Sequence, residues 1–249
     1  MRSLICGIRS IVFNLTYYPL ILTYSLLVVP VCLMPGKKPV RKAVYGFCKL
    51  SLLWARWLMG IKYEIRFRDR LPPEGTPIIL AAAHQSNLDP MLAFMLRQDV
   101  TALAKKELFQ TPLIGQLLKK MGVIRIDRQS GTAHRGMDQV AQQVRREGQF
   151  IIVYPQATRV PVGQSKKLKS GAYFMHQESR LPVYPVATNT GLFWTKGFWH
   201  RSGTAVFEVC EPLAEGLDKE GFMMALEDQI VHKSEALITE AGYGHLLTP

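Results

Sequence analysis

The chain opens on a long hydrophobic stretch, in which no charged side chain occurs from Ser10 to Met34. A helix rises about 1.5 Å per residue, so this stretch is long enough to cross the apolar core of a bilayer. No small-residue cleavage site of a secretory signal follows it. The pattern predicts an uncleaved membrane segment, which either spans the bilayer or enters and leaves on one side. Pro19 and Pro30 are expected to kink or end the helix.

The next stretch, from Val40 to Met59, is amphipathic. Three of its four basic residues recur every seven positions and therefore fall on one helix face, surrounded by leucine and aromatic residues. These basic residues are Lys42, Lys49 and Arg56. Such a helix is typical of a lipid interface, where its cations lie among anionic headgroups. The alternative is a helix packed on a soluble core. We predict an N-terminal membrane-associated two-helix hairpin over residues 1–60, turning at Pro35 and Gly36.

From residue 61 onward, short apolar runs alternate with helical patterns. The predicted strands are Lys62–Phe67 (an edge strand), Pro77–Ala83, Val100–Ala104, Val123–Ile126, Phe150–Tyr154, Val183–Ala187 and Ala205–Cys210. The predicted helices are Leu108–Met121, Thr132–Arg146, Gly171–Glu178 and Asp218–Ala241. This alternation predicts an α/β fold, with a mostly parallel or mixed central sheet flanked by helices. We assign residues 61–249 to this domain, which ends in an acidic helix.

Composition and charge limit the class of partner. The 249 residues include 31 Lys and Arg against 19 Asp and Glu, a net charge of +12. Nucleic acid, an anionic membrane and a phosphorylated substrate all suit a basic protein. We expect no nucleic-acid partner, because the aromatic residues near the basic stripe lie in a strongly apolar segment and not on a base-stacking platform. The four cysteines include no CxxC pair, which favours a reducing compartment and indicates no metal site.

The segment Ala81–Pro90 carries candidate chemistry. A buried strand is predicted to end at Ala83, directly before His84, and Asp89 followed by Pro90 has the pattern of an N-cap. Ligands bind at the carboxyl edge of the strands in open α/β sheets. Asp89 could there orient the imidazole of His84 as a general base. A histidine followed five residues later by an aspartate also occurs by chance, so the alternative is that His84 has a purely structural role.

Three further blocks follow His84–Asp89 in order: Gly122–Arg128, Tyr154–Arg159 and Leu181–Ala187. The four blocks together resemble the signature blocks of the glycerolipid acyltransferase family. The resemblance implies transfer of an acyl group from acyl-CoA or acyl-carrier protein to the sn-2 hydroxyl of 1-acylglycerol 3-phosphate (lysophosphatidate). The product would be phosphatidate for phospholipid synthesis.

The resemblance also implies roles for individual residues. His84 and Asp89 would be the catalytic pair. The residues implied to bind the substrate phosphate are Arg159, Arg125, Arg128, Lys105 and Thr158. No metal and no cofactor is implied beyond acyl-CoA or acyl-carrier protein as co-substrate. Membrane lipids and lysophosphatidate are the expected partners, with the catalytic domain on the cytoplasmic face of the membrane.

The third block departs from the family's usual Glu-Gly-Thr-Arg, because Gln156 replaces the acid and Ala157 the glycine. Alanine disfavours positive φ, so we expect the loop to turn differently if the glycine used one. Two alternatives therefore stay open. The acceptor could be another lysolipid, such as a lyso-ornithine lipid or a lysophospholipid with a larger headgroup, or the chain could be a catalytically silent membrane tether.

Two expectations concern the arrangement in space. His84, Asp89 and Arg159 must converge on one cleft that opens toward the N-terminal hairpin. The aromatic residues Phe193, Trp194, Phe198 and Trp199 are expected to pack in the core, because large rings mostly pack inside. Contact with lipid, or lining of an acyl channel, is the alternative for this aromatic cluster.

Overall fold

The computed structural model describes residues 2–111, 114–126 and 137–247, and these residues form a seven-stranded sheet. The strands are β1 (Ile61–Arg66), β2 (Ile78–Ala82), β3 (Val100–Lys105), β4 (Ile124–Ile126), β5 (Phe150–Val153), β6 (Val183–Thr188) and β7 (Gly203–Val209). Their order in the sheet is β1-β7-β6-β2-β5-β3-β4. Strands β2 to β6 are parallel to one another, whereas β7 is antiparallel to β6 and parallel to β1. The predicted mixed sheet with β1 at its edge is confirmed.

Helices cover both faces of the sheet. They are α1 (Arg2–Val28), α2 (Lys38–Trp54), α3 (Leu88–Leu96), α4 (Ile114–Met121), α5 (Met137–Glu147), α6 (Gly171–Ser179), α7 (Lys219–Glu227) and α8 (Lys233–Glu240). Side chains alternate between the faces along a strand. Leu80 of β2 packs in the core cluster that includes residues of α1, α2 and α3, and Ala81 packs in the cluster that includes α5, α6 and α7. Burial on both faces explains why β2 is a continuous apolar run.

Two helix predictions differ from the structure. The stretch predicted as one helix over Asp218–Ala241 consists of α7, a π-helical turn and α8 in direct succession. Of the helix predicted over Leu108–Met121, residues 108–110 belong to a 3-10 turn over Lys106–Gln110 and Ile114–Met121 form α4, while residues 112 and 113 lie outside the described residues. The first part of the helix predicted over Thr132–Arg146 lies outside the described residues.

The two N-terminal helices contact each other along their length. The hydroxyl of Tyr24 donates to the carbonyl of Ala43 (2.8 Å), and the indole of Trp54 donates to the hydroxyl of Thr16 (3.0 Å). Contacts closer to the start of α1 therefore fall closer to the end of α2, so the helices are antiparallel. Helix α1 continues past Pro19 and ends at Val28.

Helix α1 has one buried and one exposed side. Ser10, Phe13 and Tyr17 are buried, and Phe13 and Tyr17 belong to the core cluster that includes β2. The exposed side is apolar: Leu4, Ile5, Ile8, Ile11, Val12, Leu15, Tyr18, Leu22, Leu26 and Leu27. Among the described residues, Leu4–Leu33 is the helical segment long and apolar enough to cross a membrane, with a mean hydropathy of 1.6. Association of these helices with a membrane, and the domain boundary at residue 60, stay predictions.

Helix α2 has features of both alternatives, a helix at a lipid interface and a helix packed on a soluble core. Lys42 and Lys49 of α2 are exposed, and so is Arg56 in the π-helical turn that follows the helix (Ala55–Met59). Cys48 and Leu52 of the same helix are buried in the core cluster that includes β2. The helix thus packs on the α/β core and also presents exposed cations.

His200 joins the segment after β6 to helix α1. Its backbone N–H donates to the hydroxyl of Ser10 (3.0 Å), and its ring packs edge-on against Phe13. Its Nδ1 is buried without a hydrogen-bond partner in the described part of the chain. Burial lowers the pKa of this imidazole from 6.5 to about 4, because burial disfavours the charged form.

This buried imidazole predicts a pH dependence of stability. The unfolded chain binds the proton of His200 at higher pH than the folded chain does. The free energy of unfolding should therefore fall as the pH drops from 6.5 toward 4, by ~3 kcal/mol at most. Thermal unfolding in detergent at a series of pH values checks this, with His200→Gln as the comparison. The variant should give a flatter profile, and equal slopes for both proteins would contradict the expectation.

Candidate active site

The candidate site lies where β2 ends. Since β2, β5 and β6 are parallel neighbours, their carboxyl ends meet at one edge of the sheet. His84 follows the end of β2 by two residues, and α3 begins at Leu88. Asn87 occupies the N-cap of α3, and Asp89 lies in its first turn. The prediction of Asp89 as the N-cap is wrong, because the helix begins one residue before it. Its carboxylate accepts hydrogen bonds from the loop that precedes the helix.

The imidazole of His84 and the carboxylate of Asp89 form a pair, with 2.9 Å between Nδ1 and Oδ2. The same oxygen accepts the backbone N–H groups of Gln85 (2.7 Å) and Ser86 (2.8 Å), and the other oxygen accepts the hydroxyl of Thr190. Asp89 is fully buried, and these bonds compensate the burial of its charge. Because an ionised carboxylate only accepts, Nδ1 carries the proton and Nε2 is the ring nitrogen that can take one.

Residues of the third block hold His84 from two sides. The Tyr154 ring stacks on the imidazole, with 4.0 Å between ring centroids and 19° between the ring planes. The side-chain oxygen of Gln156 accepts the backbone N–H of His84 (2.7 Å). Burial raises the pKa of the Tyr154 hydroxyl well above its ordinary value, and the charge of Asp89 adds to this. This stacking was not predicted from the sequence, although an aromatic residue directly after a buried strand was an available signal.

Ala157 adopts a left-handed conformation, with φ of +59°. Its backbone N–H donates to the carbonyl of Tyr154 (2.8 Å), which closes the turn. Ala157 thus adopts the positive φ that alanine disfavours, and whether the loop turns differently from that of the family stays open. A residue with a Cβ atom is strained in this region, by about 1–2 kcal/mol.

Replacing Ala157 by glycine should therefore stabilise the fold. Relief of the strain outweighs the extra chain entropy that glycine brings to the unfolded state, so we expect a net gain of up to ~1 kcal/mol in the free energy of unfolding. Chemical denaturation of the purified variant measures it. The matched control is Ala236→Gly at an exposed position of helix α8, which should lose stability by about 1 kcal/mol. A destabilised Ala157→Gly protein would contradict the expectation.

His84, Thr158 and Arg159 line one cleft of about 640 Å³. Most of the remaining wall is apolar and comes from β3, β5 and α6, and Lys169 also lines the cleft. One guanidinium nitrogen of Arg159 donates to the side-chain oxygen of Asn87 (2.8 Å). Because Asn87 belongs to the loop between His84 and Asp89, the structure brings the candidate pair and Arg159 together. No described residue of α1 or α2 lines the cleft, so its opening toward these helices stays a prediction.

The other implied phosphate-binding residues lie apart from the cleft or cannot be described. Arg125 is exposed on the edge strand β4, in register with Ala104 of β3, and is not among the residues that line the cleft. Strand β4 is two strands from β5, about 10 Å across the sheet. Lys105 ends β3, and Arg128 lies outside the described residues.

The fold and the site define an α/β enzyme of the acyltransferase class, in which a histidine and an acid at the carboxyl edge of a sheet share a cleft with an arginine. A sequence model described as "Acyltransferase" matches residues 62–189, just over half of the chain. The chain belongs to the acyltransferase family, and the predicted family membership is confirmed.

Curated relatives agree with this assignment. The chain is 28% identical over 197 residues to a 1-acyl-sn-glycerol-3-phosphate acyltransferase of Pseudomonas aeruginosa, covering 78% of this chain and 75% of the relative. It is 30% identical over 196 residues to the protein of the same name from Borreliella burgdorferi, covering 76% of each. The crystal structure of the 1-acyl-sn-glycerophosphate acyltransferase from Thermotoga maritima is similar in fold. Its TM-score is 0.74 at 20% identity, covering 93% of this chain and 97% of that chain.

Proposed function

We propose that the protein transfers an acyl group from acyl-CoA or acyl-carrier protein to the sn-2 hydroxyl of 1-acylglycerol 3-phosphate, which gives phosphatidate. The observation that carries the proposal is the convergence of the His84–Asp89 pair and Arg159 on one cleft. The names of the curated relatives support the same acceptor.

The chemical step is a direct attack assisted by a general base. Nε2 of His84 takes the proton of the sn-2 hydroxyl as that oxygen attacks the thioester carbonyl of the acyl donor. Asp89, hydrogen-bonded to Nδ1, fixes the ring and stabilises the imidazolium that forms. The thiolate of the donor then leaves and receives the proton from His84. An ester bond forms and a thioester bond breaks, and the step requires neither a metal nor a cofactor.

Arg159 binds the acceptor phosphate in this proposal. A guanidinium can donate two parallel hydrogen bonds to a phosphate, and the anchoring of Arg159 on Asn87 restricts where that phosphate would lie. Thr158 lines the same cleft and could donate its hydroxyl. The assignments of Arg125, Arg128 and Lys105 to the phosphate rest on the resemblance alone.

The lipid acceptor places the enzyme at a membrane. The exposed apolar side of α1 suits the acyl region of a bilayer, and the exposed cations of α2 suit anionic headgroups. Membrane lipids are then the surroundings of the enzyme as well as the source of its acceptor. We place the catalytic domain on the cytoplasmic face as part of the same proposal, because acyl-CoA and acyl-carrier protein, the proposed donors, are intracellular.

A comparison of acceptors tests the proposal against its alternatives. Purified protein receives one acyl donor and, in parallel, lysophosphatidate, lyso-ornithine lipid or a choline lysophospholipid. We expect a strong preference for lysophosphatidate, because the other two headgroups lack the phosphate monoester that Arg159 would bind. Equal or better use of another acceptor would contradict the proposed acceptor. Failure to consume the thioester with any of the three would support the silent membrane tether.

A further inference from the structure

Residues 190–201, named the bridging segment, connect β6 to β7 and divide the aromatic cluster. Phe193 and Trp194 are buried, as expected from the size of their rings. Phe198 is 47% exposed and Trp199 is 60% exposed, so the prediction that they pack in the core is wrong for these two residues. Their rings contact each other edge to face, with centroids 5.0 Å apart. Two large rings side by side on a surface indicate a contact with something apolar.

The inner part of the bridging segment is bonded to the loop that carries the candidate catalytic pair. The hydroxyl of Thr190 donates to the carboxylate of Asp89, and the hydroxyl of Ser86 donates to the carbonyl of Trp194 (2.8 Å). All four residues are buried. The position of this part of the segment is therefore coupled to the position of the carboxylate that orients His84.

The outer part of the bridging segment is bonded to helix α1. The side-chain amide of Asn14 donates to the carbonyl of Phe198 (3.0 Å), and the N–H of His200 donates to the hydroxyl of Ser10 (3.0 Å). The exposed rings therefore lie next to the first half of α1, whose exposed side is apolar. The Trp199 ring also lies beside Gly7 of this helix, 3.8 Å from where a Cβ atom on that residue would be.

The charges around the exposed rings identify the partner. From Thr190 to Phe207 the chain has no acidic residue, whereas Lys196 and Arg201 are both exposed. Aromatic rings flanked by cations are typical of segments that enter an anionic lipid interface, where the rings reach the acyl boundary and the cations stay among the headgroups. The proximity of these rings to α1, whose exposed side is apolar, favours the same partner.

We propose that Phe198 and Trp199 are a second membrane contact. Through this contact, an anionic lipid surface holds the catalytic loop, residues 84–89, at the membrane. The proposal rests on the proposed function for the lipid nature of the acceptor. Its membrane contact follows from the exposed rings and the surrounding charges. Its effect on activity follows from the bonds to Ser86 and Asp89.

Fluorescence quenching tests the contact itself. The full chain is reconstituted in vesicles of phosphatidylglycerol and phosphatidylcholine that carry bromine on the acyl carbons close to the headgroup. Bromine quenches those of the four tryptophans that enter the lipid. Replacing Trp199 by phenylalanine should lower the quenched fraction of the emission, because it removes a lipid-facing ring. An unchanged or higher quenched fraction would show that Trp199 lies in water, and would overturn the proposal.

Activity measurements test the coupling. The variant F198S/W199S is assayed on acceptor in anionic vesicles and on a short-chain acceptor dissolved as monomers. We expect an activity loss of about tenfold on vesicles, because the apolar contact is removed, and less than about twofold on monomers. The control M224S changes an exposed apolar residue of α7 and should alter neither rate.

The outcomes separate this proposal from the proposed function. Equal losses on vesicles and monomers would mean that the substitutions disturb the catalytic loop directly, and would overturn the coupling to lipid. A wild-type protein without acyltransferase activity on either acceptor would contradict the proposed function. The quenching result would still decide whether Trp199 contacts lipid.

Discussion

Replacing His84 by alanine should lower kcat for phosphatidate formation by a factor of ~10²–10⁴, the usual contribution of a general base. The reason is geometric. Nδ1 of His84 is bonded to Asp89, and His84 lines the cleft, so Nε2 is the group placed to take the proton of the acceptor hydroxyl. KM for lysophosphatidate should change little, because the imidazole does not bind the phosphate. Steady-state kinetics with the purified variant separates the two constants.

The control for this variant is His232→Ala. His232 is exposed on the π-helical turn between α7 and α8, far in sequence from the site, and its loss should leave kcat unchanged. Asp89→Asn is the informative second variant, because an amide in place of the carboxylate weakens the orientation of the ring and the stabilisation of the imidazolium. A His84→Ala protein with near wild-type turnover would remove the proposed mechanism.

Replacing Arg159 by alanine should lower kcat/KM for lysophosphatidate by about 10–100-fold, which corresponds to the loss of charged hydrogen bonds. We expect KM to rise because binding of the phosphate weakens. We also expect kcat to fall, because a phosphate that is not fixed leaves the hydroxyl less well aligned with His84. Arg159→Lys should recover part of the loss, since lysine keeps the charge without the two-pronged geometry.

Arg125→Ala is the matched comparison for Arg159→Ala. Both remove a guanidinium that the family resemblance assigns to the phosphate, but only Arg159 lines the cleft with His84. We therefore expect a clearly smaller loss of affinity for lysophosphatidate in Arg125→Ala. Isothermal titration calorimetry of lysophosphatidate binding to both variants checks this. An effect of Arg125→Ala equal to that of Arg159→Ala would show that the substrate reaches the edge strand β4.

The fold was predictable where local patterns determine it. The apolar run at β2 is buried on both sheet faces, and the alternation of such runs with helical patterns is sufficient to predict a mixed α/β sheet. The His84–Asp89 pair was predictable because the strand, loop and helix that hold it are consecutive in sequence. A five-residue separation across that turn leaves little freedom for the two side chains.

Contacts that depend on the order of strands were not predictable. Tyr154 stacks on His84 because β5 is the neighbour of β2, and Thr190 reaches Asp89 because β6 is the other neighbour. No local pattern in the sequence gives that order. The positive φ of Ala157 was missed for a different reason, since propensity disfavours it but the surrounding turn imposes it.

The ratio of kcat/KM for lysophosphatidate to that for 1-acylglycerol, which has the same hydroxyl and no phosphate, tests the central claim most directly. It is measured on the wild type, His84→Ala and Arg159→Ala with one acyl donor. If His84 is the base and Arg159 binds the phosphate, His84→Ala lowers both values equally and keeps the ratio. Arg159→Ala then lowers mainly the value for lysophosphatidate and brings the ratio toward one. A ratio that changes in His84→Ala, or survives unchanged in Arg159→Ala, would contradict the account.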